Sequence, residues 1–476
     1  MFKTNEEIVN FIKYENIANI DFKACDIMGK WRHLSIPSSY ISEATFKEGF
    51  GFDGSNYGFR AVNKSDMLLI PDISTAFIDP FWEQPTISFI CNIHEVEDNE
   101  ARLRQDPRFV CERAEKTLYS LGLGNRLLLG PEFEFYVFDS VAFGRKMHKS
   151  FFSIESRQSD WNFEETGIGN FGYQTALKDG YHTEQPYDRS ASFRSSLCEE
   201  LLNMGVRVKY HHHEVGGPGQ IELEVDFDTA VSMADISMKI KYAVRNFAIK
   251  KGLTASFMPK PMYGAPGSGF HVHFKLMDEN KPVFSDDKGY AGMSDTAFSF
   301  MAGILVHARA LSAIVNPSTN SYKRLVPGYE APVSLVFGQS NRSAAVRIPG
   351  YVKSPEDKRF EYRAGDATAN IYLMFASMIM AGIDGIRNKL NPTKMGIGPY
   401  DCNIFELPEQ ERSKIKSLPT NLSEAINALE EDHDFLTYNN VFPEELLKEW
   451  IKRKKTEAEF IALQPTPAEY ELYYGC

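Results

Sequence analysis

Cysteine is scarce in this sequence, which has 6 cysteines among 476 residues and no Cys-x-x-Cys pair. The six are Cys25, Cys91, Cys111, Cys198, Cys402 and Cys476. A disulfide framework or a thiolate zinc site needs paired, closely spaced cysteines, so neither is expected. We expect reduced and buried thiols instead.

The sequence also lacks an excess of positive charge. Lys and Arg together number 52 against 64 Asp and Glu, which gives a net charge of −12 and a pI near 5.5. Such an acidic chain is a poor general binder of nucleic acids or of anionic membranes. We therefore predict no nucleic-acid partner and no membrane partner, and any nucleotide must meet a local basic cluster.

Long apolar runs are absent as well. The longest, residues 371–383, is interrupted by Ser377 and is shorter than the ~18–20 residues of a membrane-spanning helix, so it predicts a buried helix. The first residues have no basic-then-apolar signal pattern; instead, Thr4 and Glu7 have the spacing of a capping box. We expect the protein to remain in the cytoplasm.

The chain is long enough for two or three domains, and 43% of its residues are hydrophobic. Residues 19–37 alternate apolar and polar side chains on both sides of Met28-Gly29-Lys30, which predicts a hairpin. Residues 86–95 predict a further strand, and Pro107 begins a helical run. We therefore divide the chain into domains 1–105 and 106–476.

The larger domain mixes strands with long helices. Residues 230–251 are periodic and end at Gly252, and residues 298–315 end at Asn316-Pro317. No internal repeat and no long linker separates these segments. The fold class predicted from this mixture is α+β.

Acidic residues recur on one face of several predicted strands. In residues 126–138, Glu132 and Glu134 share one face, and Phe133 and Phe135 share the other. Carboxylates that are buried together repel one another and lose hydration unless a positive group meets them. For this strand alone, a solvated outer face is an equally good interpretation.

Three further strands repeat the pattern. The residues concerned are Glu214, Glu222, His271, His273, Glu361 and Arg363. Repetition on four strands favours a common acidic interior that binds cations. Carboxylates with few imidazoles suit Mg²⁺ or Mn²⁺, whereas zinc would favour more His or Cys. Zinc binding by the triplet at residues 211–213 is disfavoured because adjacent histidines on a strand point to opposite faces.

Arginines accompany these acidic residues. They are Arg324, Arg342, Arg347, Arg359 and Arg363. One arginine near a strand is usually a surface ion pair, but five beside paired cations suit the transfer of a phosphoryl group. Because the sequence has no Walker A motif, ATP would bind without that phosphate loop.

A series of short motifs runs in order along almost the whole chain. They are Phe52-Asp-Gly-Ser55, Gly130-Pro-Glu-Phe-Glu-Phe135, His211-His-His-Glu-Val215, Gly267-Ser-Gly-Phe-His271, residues 316–332, Asn341-Arg-Ser343 and Glu471-Leu-Tyr-Tyr474. In these motifs and their spacing the chain resembles type I glutamine synthetases. The resemblance implies a β-grasp-like N-terminal domain and a catalytic domain whose curved antiparallel sheet forms an active-site funnel. It also implies a dodecamer of two stacked hexameric rings, with active sites at subunit interfaces.

The resemblance also assigns roles to individual residues. One metal would be held by Glu134, Glu214 and Glu222, and the second by Glu132, His271 and Glu361. Glutamate would be bound by Gly267, Arg324, Glu330 and Arg363. The nucleotide would be bound by His273, Lys275, Arg342, Arg347 and Arg359. The ammonium pocket would contain Tyr181, Glu330 and Asp53, the last from a neighbouring subunit.

The implied function is the ATP-dependent ligation of ammonia to the γ-carboxylate of L-glutamate. ATP would first phosphorylate that carboxylate, and ammonia would then attack the γ-glutamyl phosphate to give glutamine, ADP and phosphate. Two alternatives remain, a glutamate–amine ligase that uses a polyamine, and an inert ring-forming relative. Asp53, Tyr181 and Glu330 favour ammonium over a larger amine, and the complete set of metal ligands disfavours an inert protein.

Several positions depart from the family pattern. They are Asn56 in place of a common Ser, Pro266 in place of a common Asn, Lys275 in place of a common Ser, and Ala364-Gly365 in place of Phe-Pro or Pro-Pro. None of these changes removes a predicted metal ligand. They bear on nucleotide contacts, on the substrate loop and on the affinity for ammonium.

Phe405 leads to a first prediction, which concerns regulation by covalent attachment of AMP. Many bacterial relatives carry at this position a Tyr whose hydroxyl receives AMP, but Phe has no oxygen to modify. Incubation with an adenylylating enzyme and labelled ATP, followed by peptide mapping, should leave residues 398–414 unlabelled. Label on that segment, for example on Tyr400, would contradict the prediction.

Overall fold

The structure is a computed structural model that describes residues 2–59, 65–96, 101–162, 172–326 and 332–476. Glu330, one of the residues assigned to substrate, lies outside the described residues. The chain forms a small N-terminal unit with one sheet, followed by a larger unit with a ten-stranded sheet and most of the helices. The predicted α+β fold class is therefore confirmed.

In the part of the chain that the structure describes, the N-terminal unit contains two α-helices and five strands. They are α1 (Asn5–Tyr14), β1 (Asn19–Cys25), β2 (Trp31–Pro37), α2 (Thr45–Glu48), β3 (Phe50–Asp53), β4 (Asp66–Ile78) and β5 (Thr86–Glu95). The strand order is β2-β1-β5-β4-β3, with β1 parallel to β5 and the other neighbours antiparallel. The predicted hairpin is present as β1 and β2, and Thr4 and Glu7 form the predicted capping box. Asp53 ends β3, at one edge of this sheet.

The larger unit begins with α3, whose N-cap is Asp106. Its helices are α3 (Pro107–Tyr119), α4 (Ala191–Asn203), α5 (Ala230–Lys250), α6 (Asp295–Val306), α7 (Ala308–Val315), α8 (Ser321–Arg324), α9 (Ile371–Arg387), α10 (Glu409–Arg412), α11 (Leu422–Glu431), α12 (Asp434–Thr437), α13 (Glu444–Ala462) and α14 (Pro467–Tyr473). The division of the chain at residue 105 stays a prediction.

The described strands of this unit form one large sheet and one hairpin. They are β6 (Arg126–Phe138), β7 (Ser140–Lys146), β8 (Lys149–Glu155), β9 (Val208–His213), β10 (Gln220–Val225), β11 (Asp228–Thr229), β12 (Thr254–Ser256), β13 (Val272–Asp278), β14 (Lys281–Pro282), β15 (Ser334–Gln339), β16 (Ala344–Ile348) and β17 (Phe360–Tyr362). The main order is β15-β16-β17-β13-β6-β10-β9, and β7 pairs with β8. The sheet is antiparallel except for the β15–β16 pair.

The sheet packs on a core of apolar helices. In α9, residues 371–383 are all buried, which confirms the buried helix predicted from this run. Among the described residues, no single helix is long and apolar enough to cross a membrane; α6 and α7 reach that length and composition only as a pair, which is bent by 74°. Both helices of the pair lie largely in the protein core.

Two sequence predictions need correction. Residues 298–315 do not form one helix, because the chain bends between α6 and α7 at His307. The thiols of Cys402 and Cys476 are exposed, whereas only Cys25, Cys91 and Cys111 are buried. All six cysteines are free, as predicted.

A buried ion network joins the two units. Arg108 on α3 donates to Asp235 on α5 at 2.8 Å and to Asp72 on β4 at 2.8 Å. Asn92 on β5 accepts a further bond from Arg108 at 2.6 Å, and Tyr372 on α9 donates to Asp235 at 2.7 Å. Removal of one partner from such a network leaves a buried charge without compensation, so the network fixes how the small sheet lies against the helices.

His307, at the bend between α6 and α7, has a carboxylate at each ring nitrogen. Its Nδ1 lies 2.8 Å from Asp432 and its Nε2 lies 3.0 Å from Asp384. Burial alone would lower the pKa of His307, but the two carboxylates outweigh burial and raise that pKa above its ordinary value. The imidazolium thus ties the bend to α9 and to the end of α11.

This geometry predicts a pH-dependent contribution to stability. Because the pKa of His307 is raised on folding, its contribution is complete below the unfolded pKa and is lost as pH rises through the folded pKa. The His307→Gln variant should melt about 2 °C below wild type at pH 5.5, and the difference should shrink at pH 9. Thermal unfolding at both pH values tests this, and an equal difference at both would contradict it.

Candidate active site

A cavity of about 870 Å³ lies over the strands that carry the predicted acidic residues. Its lining includes side chains from β6, β9 and β10, the loop before β13, and the ends of β16 and β17. Most of the predicted site residues meet here. They are Glu132, Glu134, Tyr181, Glu214, Glu222, Gly267, His271, Arg324, Arg342, Arg347 and Arg363.

Strand register explains why carboxylates face one another. In the antiparallel pair of β6 and β10, Glu134 lies opposite Glu222 and Glu132 lies opposite Glu224. Residues two apart on a strand share a face, so Phe133 and Phe135 point the other way, into the core, where both are fully buried. The alternation that the sequence predicted for this strand is confirmed.

One group of candidate metal ligands contains Glu132, His273 and Glu361. Their ligand atoms all lie within 4.8 Å of one another, and His273 Nε2 is 3.0 Å from Glu132 Oε1. The register brings them together, because His273 on β13 pairs with Glu361 on β17. Glu361 is fully buried.

A second group contains His212, Glu214 and Glu222, again with ligand atoms within 4.8 Å of one another. His212 Nδ1 is 3.5 Å from Glu214 Oε2, and its Nε2 is 3.8 Å from Glu222 Oε1. Sequence reasoning set the histidine triplet aside and so missed His212. Its position two residues before Glu214 was the available signal.

His271 and Glu134 lie between the two groups. His271 Nδ1 is 2.7 Å from Glu132 and 3.5 Å from Glu361, while its Nε2 is 3.6 Å from Glu134. Glu134 also accepts a hydrogen bond from the Gly269 N–H at 2.7 Å. The acidic and histidine residues therefore form one continuous cluster.

Arginines neutralise the deepest carboxylate of the cluster. Both oxygens of Glu361 accept from guanidinium groups, one from Arg347 at 2.6 Å and the other from Arg363 at 2.5 Å. Burial and the charge of Glu132 would raise the pKa of Glu361, but the positive charge of Arg363, with that of His273 and His271, lowers it to about 2. Arg324 donates to the carbonyls of Ala364 and Arg363 and lies 3.3 Å from His271.

The neighbours of Glu132 and Glu222 shift the pKa values of these two carboxylates in opposite directions. Burial opposes ionisation of Glu132, but hydrogen bonds from His271 and His273 hold its pKa well below the ordinary value. Glu222 lacks such strong compensation, so burial and the repulsion of Glu132 and Glu134 raise its pKa well above the ordinary value. Carboxylates that are buried together with too little positive charge around them attract cations.

Comparison with known proteins gives relatives over the full chain. Residues 104–473 match the family described as glutamine synthetase, catalytic domain, and residues 16–96 match glutamine synthetase, beta-Grasp domain. The glutamine synthetase of Mycolicibacterium smegmatis is 44% identical over 478 residues, and that of Nostoc sp. is 43% identical over 476; each alignment covers 99% of both chains. A cryo-EM structure of Plasmodium falciparum glutamine synthetase has a TM-score of 0.89 at 27% identity and covers 99% of both chains. A GmaS/ADP complex has a TM-score of 0.79 at 25% identity and covers 98% of this chain and 99% of that one.

This chain belongs to the glutamine synthetase family. It is a glutamate–ammonia ligase, as its motifs predicted. The β-grasp N-terminal domain and the catalytic domain with its curved sheet are likewise confirmed.

Beside the cluster of this glutamine synthetase, an aromatic and basic surface surrounds Phe227. The Phe227 ring lies 6.2 Å from the ring of His273, 5.6 Å from the Arg359 guanidinium and 5.2 Å from Lys275 Nζ. Tyr351, which is largely exposed, lies 5.8 Å from both Arg347 and Arg359. No periodic pattern in the sequence pointed to Phe227, because it lies in the short connection between β10 and β11.

Tyr181 and Asp53 occupy different places in the ligase. Tyr181 lines the cavity, and its ring stacks on His182 with centroids 4.0 Å apart. Asp53 is not among the residues that line the cavity; it is exposed at the end of β3. There it accepts from the Ser55 N–H at 2.9 Å and from Asn56 Nδ2 at 2.8 Å, and hydrogen bonds from Ser55 lower its pKa.

Proposed function

We propose that this cavity binds two divalent cations, ATP, glutamate and ammonium, and that the residues named above divide these tasks. The observation that carries the proposal is the continuous cluster of carboxylates and imidazoles, with arginines on the strands beside it. Such a cluster supplies hard oxygen ligands and positive charge in one place, as phosphoryl transfer needs.

The donor set fits Mg²⁺ or Mn²⁺. Oxygen ligands predominate, the ligand atoms of each group are within 4.8 Å of one another, and two imidazoles suit Mn²⁺ as well. We assign Glu134, Glu214 and Glu222 to the first cation, with His212 beside them. We assign Glu132, His271 and Glu361 to the second, with His273 at hydrogen-bond distance from Glu132. The chemistry that the cations supply is neutralisation of the charge on the phosphate oxygens.

Glutamate would bind between the cluster and the loop before β13. Arg324 and Arg363 are buried beside the cavity and would pair with substrate carboxylates, because a guanidinium matches a carboxylate in shape and charge. The backbone carbonyl of Gly267, which lines the cavity, would accept from the substrate amino group. Glu330 is proposed for the same region on the resemblance alone.

ATP would bind on the side of the cavity where Phe227 lies. Arg342, Arg347 and Arg359 would hold phosphate oxygens, and His273 and Lys275 would flank the nucleotide. Phe227 adds an aromatic face on which a base can stack. The ADP in the similar GmaS structure supports a nucleotide site in this fold.

The reaction takes two steps because a carboxylate is a poor electrophile. The γ-carboxylate of glutamate attacks the γ-phosphorus of ATP, the bond from that phosphorus to the β–γ bridging oxygen breaks, and ADP leaves. The arginines stabilise the charge on the transferring oxygens. Ammonia then attacks the acyl phosphate carbon and releases phosphate. Ammonium must lose a proton first, so Asp53, Tyr181 and Glu330 would form a negative pocket that attracts and deprotonates it.

The exposed position of Asp53 supports a shared active site. Its carboxylate, at the edge of the small sheet, is presented to the outside of its own chain. We propose that it completes the pocket of a neighbour in a dodecamer of two hexameric rings. Exposed apolar residues of the C-terminal segment and of the β7–β8 hairpin offer surfaces for such an assembly. They include Phe143, Met147, Phe152, Leu472, Tyr473 and Tyr474.

We also place the ligase in the cytoplasm, where ATP and glutamate are available and where thiols stay reduced, in keeping with the six free cysteines. No specific observation favours a polyamine as the acceptor or an inert protein.

The metal assignment predicts the effect of Glu361→Gln. The change keeps side-chain size but removes a buried charge, so binding of Mn²⁺, followed by calorimetry, should fall from two ions per chain to one. Phosphoryl transfer should fall about 100-fold or more. The matched control is Glu115→Gln, because Glu115 is a buried carboxylate on α3 whose contacts are with Tyr119 and Ala230. Two ions per chain in Glu361→Gln, with full activity, would contradict the assignment.

The shared site predicts complementation between two impaired variants. Asp53→Asn should raise the KM for ammonium while glutamate phosphorylation is largely retained, and Glu361→Gln should be inactive. In mixed assemblies of the two, some pockets would combine an intact Asp53 from one chain with an intact Glu361 from its neighbour. Activity of the mixture should therefore exceed that of either variant alone. A mixture no more active than its parts would place Asp53 in its own chain's pocket or outside the reaction.

A further inference from the structure

The glycine-rich loop at residues 264–269 accepts hydrogen bonds from two strand residues that the proposed mechanism does not use. The hydroxyl of Tyr136 on β6 donates to the carbonyl of Pro266 at 2.7 Å. The side-chain amide of Gln220 on β10 donates to the carbonyl of Gly267 at 3.0 Å. Two consecutive peptide carbonyls, both on residues that line the cavity, are thus fixed in direction.

The orientation of the Gln220 amide is determined by a second contact. Its Oε1 accepts from the Gly216 N–H at 2.8 Å, so Nε2 must face Gly267. Gln220 and Tyr136 are both buried. A buried amide with both ends bonded has little freedom, which makes it an effective support.

Strand register places Tyr136 and Gln220 in line with the cluster of acidic and histidine residues. Tyr136 lies directly opposite Gln220 in the β6–β10 pair, two residues beyond the facing carboxylates of Glu134 and Glu222. Because residues two apart share a face, the loop support and the carboxylates stand on the same side of the same two strands. The loop is therefore positioned relative to the cluster by the strands themselves.

The loop also lies tightly against a proposed carboxylate-binding residue. A Cβ added at Gly267 would come within 2.5 Å of the Pro259 carbonyl and 2.7 Å of Arg324 Cγ. Gly267 therefore packs directly against the aliphatic part of the Arg324 side chain. A backbone carbonyl and a guanidinium on two neighbouring residues can recognise the two ends of an α-amino acid head group. A carbonyl oxygen accepts two hydrogen bonds, so Gly267 can serve Gln220 and a substrate ammonium together.

We propose that Tyr136 and Gln220 are positioning residues for glutamate, which act by holding the Gly267 carbonyl toward the substrate α-amino group. The inference rests on the proposed binding of that amino group by Gly267. It predicts a specific loss, namely of the discrimination between glutamate and an analogue that lacks the amino group.

The test compares equilibrium binding of L-glutamate and glutarate to the full-length ligase with Mn²⁺ and a non-hydrolysable ATP analogue. In Tyr136→Phe the ring keeps its packing on Phe138, Met262 and Ala265, and only the hydroxyl is lost. The Kd for glutamate should rise about tenfold, which corresponds to ~1.4 kcal/mol. The Kd for glutarate should change less than about twofold. Gln220→Met should show the same selectivity.

The matched control is Tyr372→Phe, which also removes a buried hydroxyl 2.7 Å from its acceptor but lies in the network between the two units. It should leave both Kd values unchanged. Equal weakening of both ligands in Tyr136→Phe and Gln220→Met, or no weakening, would overturn the inference.

Arg324→Lys separates this inference from the proposed site itself. It should weaken both glutamate and glutarate, because it acts on a carboxylate. If it does and the two positioning variants show no selectivity, the inference alone fails. If Arg324→Lys binds both ligands as wild type does, the glutamate site is wrong and the inference falls with it. Thermal unfolding and sedimentation of each variant confirm that it is folded and assembled.

Discussion

Repulsion between carboxylates that are buried close together is the constraint around which this structure is arranged. Glu132, Glu134, Glu222 and Glu361 share one region, where burial makes each charge costly. Arginines and histidines balance part of that charge, most completely at Glu361. Negative charge that these groups do not balance, as around Glu222, draws cations into the cavity. The sheet must hold these groups rigidly, because a relaxed backbone would let the acids move apart into water.

Rigidity of the sheet depends on what lies behind it. The opposite faces of the same strands carry Phe133 and Phe135, which pack into the helical core. The network around Arg108 then fixes the small N-terminal sheet against α5 and α9. The polar cavity and the apolar core are therefore two sides of the same strands, and a change in either is transmitted through the backbone to the other.

Periodic and apolar patterns made part of the site and of the core visible in the sequence. Period-two alternation showed the shared face of Glu132 and Glu134, and the apolar run at residues 371–383 showed the buried helix. Alternation alone did not show groupings that depend on register between distant strands. His212 joins Glu222 only because β9 lies beside β10, and His273 meets Glu361 only because β13 lies beside β17. The bend at His307 was missed for the same reason, since the acids that fix it come from other helices.

The placement of Asp53 at a sheet edge, away from its own cavity, has a consequence for symmetry under the proposed sharing of sites. A row of n subunits that each lend one side chain to the next completes only n − 1 pockets, because the last chain has no donor. A closed ring completes all n. If each subunit lends a side chain to the next, closing the ring adds a complete active site as well as a buried interface. An open ring has fewer complete sites than subunits.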